Sequence, residues 1–323
     1  MTAGDSPARK LRFASLALLA LLSVASLFVG VATMTPAGLL VDTDATRLLL
    51  LSRLPSTLAA ILSGAGLAIA GLIMQTIARN RFVEPSTAGT AQSAALGILL
   101  VMLLLPAASL PVKTAVASLA ALAGTSVFLA AAHRLPPTEP YLIPLFGLVY
   151  GGIIGAAATF IGWQSDLLQV VEIWTSGEFS GVMLGRYEML WIAAAMVGLA
   201  WWVADRLTLV SLGRETSIGL GLDYRRMVQI GLVIVSVISA LVVVVVGMIP
   251  FVGLVVPNII SRIAGDNLRA TIPTVAVSGA ILVLASDIVG RLIRFPYEVP
   301  VGTVMGVAGS VLFLWLVFRP ARA

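Results

Sequence analysis

This sequence of 323 residues contains no cysteine, a single histidine (His133) and few charged residues. Without cysteine, disulfide bonds and thiolate metal sites are excluded. Charged residues make up 11% of the chain, whereas a soluble domain carries about 25%. The mean hydropathy is +1.05. The composition therefore predicts an all-α polytopic membrane protein formed by one transmembrane domain, residues 1–323.

Motifs for several enzyme classes are also missing. The two lysines, Lys10 and Lys113, lie outside any GxxxxGK[ST] motif, so this chain is not expected to bind ATP itself. HExxH and GxSxG motifs are absent as well. His133 lies beside Arg134 in a predicted turn, where a solvated side chain is expected. The pI is near 10.1, but the basic residues are dispersed between apolar runs, so nucleic-acid binding is not predicted.

Apolar runs predict ten membrane spans. A signal peptide is the alternative for the first run, but its length and the following spans favour a retained helix. The segment 35–55 is predicted to be an amphipathic connector on the membrane surface. The spans are 13–33, 56–77, 87–105, 113–132, 141–163, 189–203, 227–248, 250–264, 270–287 and 299–318.

The basic residues predict the orientation, because Lys and Arg are enriched in cytoplasmic loops. With the N-terminus inside, fourteen of the 20 basic residues fall on the cytoplasmic side. Both termini, including residues 1–12, and the loop 205–226 are therefore predicted to be cytoplasmic. No ionisable residue falls in the middle of a predicted span, which argues against a proton-coupled transporter.

Small residues recur at helical spacing. Ala60, Gly64 and Ala68 predict a helix that packs closely against others. The glycine stripes that begin at Gly147 and Gly302 are likewise predicted to serve packing. Spans two to five and seven to ten are similar in outline, and an inverted repeat is one interpretation of this similarity.

Four segments resemble one family of membrane proteins. They are RLPSTLAAILSGAGLAIAGLIMQTIARNRFVEPSTAGT, SLGRETSIGLGL, GMIPFVGLVVPNIISR and DIVGRLIRFPYEVPVGTVMGVAGSVLFLWL. Together they resemble the FecCD-type permeases, the membrane subunits of ABC importers for ferric siderophores, haem and cobalamin. The resemblance implies a type II ABC importer permease fold with two inverted repeats. The wording NRFVEPSTAGT is similar to the branch that serves ferric siderophores, often catecholates.

The resemblance implies that Arg53 and Arg291 dock a substrate-binding protein, since arginines at these positions pair with its carboxylates. A guanidinium suits this role because it stays charged and binds a carboxylate with two hydrogen bonds. Two interfacial anchors are the alternative interpretation. A second family arginine is replaced here by Ser56, and Arg47 or Arg294 could substitute for it.

The resemblance also places an ATPase-coupling segment at Ser211–Leu222. An ordinary charged cytoplasmic loop is the alternative. Arg214 stands where relatives commonly have an acidic residue. The residues expected to contact an ATPase are Leu212, Gly213, Glu215, Ile218, Gly219 and Leu220.

Two proline-containing segments on the predicted cytoplasmic side are expected to act as hinges. Pro85 and Pro257 each remove a backbone donor and interrupt a helix. Asn80 begins the first segment, and Asn258, where relatives often have histidine, follows Pro257. A gating role for these four residues is a further hypothesis.

The resemblance implies partners rather than cofactors. The chain is expected to dimerise with itself or a paralogue in the lipid of the bacterial inner membrane. Two cytoplasmic ATPases would bind ATP and Mg²⁺, and a periplasmic or lipoprotein substrate-binding protein would deliver the ferric siderophore. No cofactor or metal ligand is expected on this chain. The alternatives are a haem or cobalamin permease, a stand-alone secondary transporter and an intramembrane enzyme.

Overall fold

The computed structural model describes residues 7–30, 43–136, 142–265 and 267–318, without the side chains of 7–12 and 317. The described residues form helices joined by turns, and a π-helix, Leu49–Arg53, connects α2 to α3. The helices are α1 (Pro7–Phe28), α2 (Thr43–Leu48), α3 (Leu54–Ala78), α4 (Thr90–Leu104), α5 (Leu110–Ala132), α6 (Leu142–Gln164), α7 (Leu168–Ser176), α8 (Leu190–Trp202), α9 (Ala204–Val210), α10 (Arg214–Gly219), α11 (Tyr224–Val245), α12 (Val252–Ala264), α13 (Leu268–Ile293) and α14 (Val301–Phe318).

Helix α3 lies at the centre of the bundle, packed against α8, α11, α12 and α13. Small residues explain this position, because they let helix backbones approach each other closely. Ala60 and Ala68 have no exposed surface. A Cβ added at Gly64 would lie 2.4 Å from the carbonyl oxygen of Gly279 on α13. The predicted packing role of this stripe is confirmed.

Every predicted span coincides with an apolar helix in the described residues. Five helices are long and apolar enough to cross a membrane: Thr43–Ala78, Leu110–Ala132, Leu142–Gln164, Tyr224–Val245 and Leu268–Ile293. The segment Tyr187–Trp202 and α9 form a sixth candidate, bent by 68°. Four shorter apolar helices occupy the remaining positions: Phe13–Phe28, Thr90–Leu104, Val252–Ala264 and Val301–Leu316.

Three helix boundaries differ from the prediction. The described part of the predicted surface connector runs straight into α3, so Thr43–Ala78 is one helix of 36 residues. Helix α13 continues to Ile293, six residues beyond the predicted end at Asp287. Much of the predicted cytoplasmic loop 205–226 is helical, because it includes most of α9 and all of α10. The predictions for residues 1–6, 31–42, 137–141 and 319–323 lie outside the described residues.

Helix α12 begins inside the bundle rather than at an edge. It has 13 residues, so it is about 20 Å long and too short to cross a membrane alone. Its Gly253 packs against the middle of the long helix α3, where a Cβ on Gly71 would lie 2.0 Å from the Gly253 carbonyl oxygen. The Gln75 side chain donates to the same oxygen at 3.0 Å. The predicted eighth span is therefore a short helix anchored to α3.

The two glycine stripes are only partly packed. A Cβ on Gly147 would meet the Thr87 carbonyl oxygen at 2.1 Å, and one on Gly302 would meet that of Ser176 at 2.2 Å. No atom lies within 4 Å of a Cβ built on Gly306. The packing prediction is therefore confirmed for Gly147 and Gly302, whereas Gly306 faces open space.

A missing donor in α3 ties a distant segment to this helix. Pro55 has no N–H, so it makes no helical hydrogen bond to the Leu51 carbonyl oxygen. The Leu184 N–H donates to that oxygen instead, at 3.0 Å. The chain before α8 is thereby held against the junction of the π-helix and α3.

Candidate functional site

The two predicted docking arginines converge on the C-terminal end of α1. Nη1 of Arg53 donates to the Val29 carbonyl oxygen at 2.8 Å. Nη1 of Arg291 lies 3.3 Å from the same oxygen and 3.4 Å from that of Ser26. Cations stabilise the carbonyl end of a helix, so both arginines fasten α1 to the bundle.

Arg291 also belongs to a buried ion pair. Its Nη2 lies 2.6 Å from Oδ2 of Asp287, one helical turn earlier on α13, and both side chains are less than a tenth exposed. The prediction that no ionisable residue lies in the middle of a span is not contradicted, because Asp287 and Arg291 lie in the last two turns of α13. The predicted span ended at Asp287 and so left out Arg291 and the ion pair. The argument against a proton-coupled transporter stays a prediction.

Ser56, which replaces the second family arginine, has a partner in the structure. Its Oγ accepts a hydrogen bond from Nη2 of Arg291 at 2.8 Å. A cleft of about 150 Å³ separates the two arginines and is also lined by Ser52, Ser56 and Glu298. Both guanidinium groups thus border a small polar cleft, although Arg53 is 8% and Arg291 5% exposed.

The two possible substitutes for the missing arginine are more accessible. Arg47 on α2 is exposed. Arg294 is exposed in the turn after α13, with its guanidinium carbon 5.8 Å from the Tyr297 ring centroid. Binding-protein docking through any of these arginines stays a prediction.

The predicted coupling segment presents apolar side chains to solvent. Leu212, Ile218 and Leu220 are 50%, 54% and 60% exposed. Beneath them Ser217 is buried, with its Oγ 2.6 Å from the Gly213 carbonyl oxygen and 2.7 Å from that of Leu209. These contacts hold α10 against α9, so the segment is a folded surface rather than a loose loop. Glu215 and Gly219 are exposed on the same segment.

The two predicted hinge segments contact each other. Nδ2 of Asn258 donates to the Arg81 carbonyl oxygen at 2.7 Å and to that of Leu254 at 2.7 Å. Oδ1 of Asn80 accepts from the Phe82 N–H at 2.9 Å. The segment Asn80–Pro85 and α12 are therefore joined directly.

The hinge prolines differ in setting. Pro85 is buried in the turn between α3 and α4, and its carbonyl oxygen accepts the Thr90 N–H at 3.0 Å. Pro257 is also buried, but it lies inside α12, which continues from Val252 to Ala264. The expectation that Pro257 interrupts a helix is therefore wrong, and a hinge role for either proline stays a prediction.

Glu84 is a polar residue that the sequence reasoning missed. Its carboxylate is buried and accepts hydrogen bonds from the Phe251 N–H at 2.9 Å and from Oγ of Ser86 at 2.6 Å. Burial raises the pKa of the Glu84 carboxyl, because removal from water disfavours the charged form, and these hydrogen bonds act in the opposite direction. The acidic residue directly before Pro85 was the available signal. Glu84 thus connects the segment Asn80–Pro85 to Phe251, the residue directly before α12.

Three cavities meet at the inner ends of the helices, on the predicted cytoplasmic side. Their volumes are about 380, 640 and 1030 Å³, and Arg79 lines all three. Arg81 lines the first two, and His133 the second and third. The sequence predicts that these residues lie in cytoplasmic turns and indicates no further role for them.

Comparison with known proteins decides the family. The model of the FecCD transport family matches residues 18–319. The chain belongs to this family. It is 44% identical over 311 residues to a petrobactin import system permease of Bacillus subtilis (strain 168), covering 96% of this chain and 98% of that protein. It is 38% identical over 272 residues to a ferric-anguibactin transport system permease of Vibrio anguillarum, covering 84% and 87%.

A solved structure supports the fold of this FecCD family member. A metal-chelate type ABC transporter in an inward-facing conformation superposes with a TM-score of 0.82, covering 96% of this chain and 99% of that chain. At 23% identity, this match concerns the fold alone. The chain is thus an all-α, multi-pass membrane protein of a transport family.

Proposed function

We propose that this chain is the membrane-spanning permease subunit of an ABC importer that carries a ferric siderophore across the bacterial inner membrane. The end-to-end similarity to a petrobactin permease supports this function most strongly, because it covers 98% of that protein at 44% identity. Separate ATPase subunits supply the energy, and this chain itself is not an enzyme. Both termini lie in the cytoplasm.

ATPase binding involves the coupling segment. The exposed Leu212, Ile218 and Leu220 support this assignment, since apolar side chains on a folded, water-facing surface gain free energy when a partner covers them. The two ATPases hold the ATP and Mg²⁺, and this chain binds no cofactor.

A second permease subunit, either a copy of this chain or a paralogue, covers the apolar faces of α6 and α14. Ile153 on α6 is 65% exposed, and Val307 on α14 is 68% exposed. Gly306 beside Val307 has open space before it, as close helix contact between subunits requires. The remaining apolar surface faces lipid.

The substrate-binding protein docks at the opposite end of the bundle, over the cleft between Arg53 and Arg291. The guanidinium groups that border the cleft support this site, because arginine pairs well with carboxylates, although Asp287 already pairs with Arg291 and Glu298 adds a carboxylate. The iron stays bound by its siderophore throughout transport, so the permease supplies no metal ligands.

Uptake by the purified proteins tests this function. The permease would be reconstituted in vesicles with the ATPase and the binding protein encoded beside it, and supplied with ⁵⁵Fe-labelled ferric petrobactin. We expect uptake that requires ATP and persists when an ionophore collapses the proton and sodium gradients. Uptake that needs a gradient but no ATPase would contradict the proposal. Stronger uptake of haem or cobalamin than of the ferric siderophore would contradict the substrate.

A further inference from the structure

Arg79 ends α3 in an unusual backbone conformation. Its φ of 50° and ψ of 35° place it in the left-handed region, which non-glycine residues seldom adopt. This conformation turns the chain out of α3 and into the segment Asn80–Pro85. The main chain of Arg79 is therefore fixed at the start of the first hinge segment.

The side chain of Arg79 reaches the coupling segment. A Cβ built on Gly213 would lie 3.0 Å from Nη1 and 3.2 Å from Cζ of Arg79, so the guanidinium packs against this glycine. Gly213 also has a φ of +96°, which a larger residue adopts only with strain. Both the backbone and the contact with Arg79 thus favour glycine at this position.

Gly213 is in turn held to α10 through Ser217, whose Oγ lies 2.6 Å from the Gly213 carbonyl oxygen. A displacement of α10 therefore displaces Gly213, which has no side chain that could yield. Arg79 either moves with Gly213 or loses the contact.

The chain that follows Arg79 contacts α12. Two residues further along the chain, the Arg81 carbonyl oxygen accepts the Asn258 side chain at 2.7 Å. Arg79 is exposed and lines all three cavities, so its side chain has room to move. The series of contacts runs from α10 through Gly213 and Arg79 to the first hinge segment, called the hinge turn below, and then to α12.

We propose that Arg79 is a positioning residue that transmits movement of the coupling segment to the hinge turn. This role rests on the proposed function, because it requires an ATPase that moves α10. Arg79 acts through its contact with Gly213 and touches neither ATP nor the siderophore. Coupling between sites requires such a physical connection, and an energetic test must establish it.

The first test measures the iron transported per ATP hydrolysed by the reconstituted importer with ⁵⁵Fe-labelled ferric petrobactin. Arg79→Ala is expected to lower this ratio roughly fivefold or more, the lower end of typical coupling effects. ATPase binding and the thermal unfolding midpoint of the permease should stay unchanged. Arg79→Lys should restore part of the ratio, because lysine keeps the charge and reach but not the planar guanidinium.

Arg225→Ala is the matched control. Arg225 is exposed and lines the same cavity of about 1030 Å³ as Arg79, so its removal takes the same charge from the same space. A ratio near that of the wild type is expected. An unchanged ratio in Arg79→Ala would overturn the proposal. A loss of ATPase binding or thermal stability would also overturn it, because Arg79 would then serve docking or folding.

A double-mutant cycle tests the contact itself. Gly213→Ala introduces a Cβ 3.0 Å from Nη1 of Arg79, so the guanidinium must shift slightly. Arg79→Ala removes this close contact, while the strain at φ +96° is the same in both backgrounds. The effects of the two substitutions on the ratio should therefore be non-additive. Additive effects would overturn the proposal. A wild-type importer without ATP-driven uptake would instead contradict the proposed function.

Discussion

At the scale of single residues, Arg53 and Arg291 show that arginines predicted to dock a partner can also be buried and bind oxygens of their own chain. The sequence identified Arg53 and Arg291 but did not indicate that Val29 and Ser56 would bind them, because these partners come from distant helices. The pair Asp287 and Arg291 was visible at a spacing of four residues. It was overlooked because the predicted span ended at its first charged residue, Asp287. A helix can continue past that residue when an opposite charge one turn later neutralises it.

The buried ion pair leads to a stability prediction. Arg291→Met should lower the free energy of unfolding by about 3–5 kcal/mol, since it leaves the Asp287 carboxylate uncompensated in the interior. The double variant Asp287→Leu, Arg291→Met should recover part of this loss, because it removes both charges but also the Arg291 donor to Val29 and Ser56. Thermal unfolding of the purified permease in detergent would measure both variants. Equal stability of the single variant and the wild type would show that the pair contributes nothing.

At the scale of helices, the sequence predicted positions well and ends poorly. Apolar runs predicted the position of every span, because a helix that crosses the hydrocarbon core needs a long series of apolar side chains. The junction of the connector with α3 was missed because Arg53 and Pro55 look like a break, although proline is tolerated in the first turn of a helix. The start of α12 at Val252 lies two residues from the predicted start at 250. Its position inside the bundle could not be predicted, since it depends on Gly71 and Gly253 meeting from different parts of the chain.

Close contact between α3 and α12 makes one glycine sensitive and leaves another tolerant. Gly71→Ala should lower the free energy of unfolding by about 1–3 kcal/mol, because its Cβ would collide with the Gly253 carbonyl oxygen. Gly198→Ala in α8 is the control, with nothing within 4 Å of its Cβ, and should unfold at the wild-type temperature or slightly above it. Thermal unfolding of both variants in one detergent would compare them. Similar losses in the two variants would count against the packing explanation.

The exposed apolar side chains of the coupling segment predict a binding defect. Replacing Leu212, Ile218 and Leu220 together by serine should weaken ATPase association by at least about tenfold, or 1.4 kcal/mol. Leu184→Ser removes a similarly exposed leucine at the opposite end of the bundle and should bind the ATPase normally. Co-purification and titration in detergent would measure the affinity. Normal binding by the triple variant would place the ATPase elsewhere.

At the scale of the whole molecule, the fold class and family could be predicted from composition and motifs, whereas sidedness and assembly remain predictions. The bias of basic residues is a statistical signal for orientation, and the bundle itself has no label for inside or outside. The exposed apolar side chains of α6 and α14 suit contact with lipid or with the proposed second subunit.

The absence of cysteine allows a direct test of orientation. In single-cysteine variants, Tyr297→Cys should react with a membrane-impermeant maleimide in intact spheroplasts, because Tyr297 is 70% exposed in a predicted outer turn. In cells that express the permease without its ATPase, Ile218→Cys should react only after the membrane is opened. The parent chain provides an unreactive background. The reverse labelling pattern would invert the proposed topology.

The hydrogen bond between Leu184 and Leu51 has a consequence for how substitutions in this protein should be judged. Pro55→Ala deletes no hydrogen bond, yet the new amide would compete with Leu184 for the Leu51 oxygen. We expect trypsin to cut faster after the exposed Arg186, while cleavage after the exposed Arg294 keeps its wild-type rate as an internal reference. Equal rates at Arg186 in variant and wild type would refute this competition. Because Pro55 has no amide hydrogen, it leaves the Leu51 oxygen available to Leu184 and so helps to hold a segment that it does not contact. A mutational scan that ranks positions by their contacts would overlook this role.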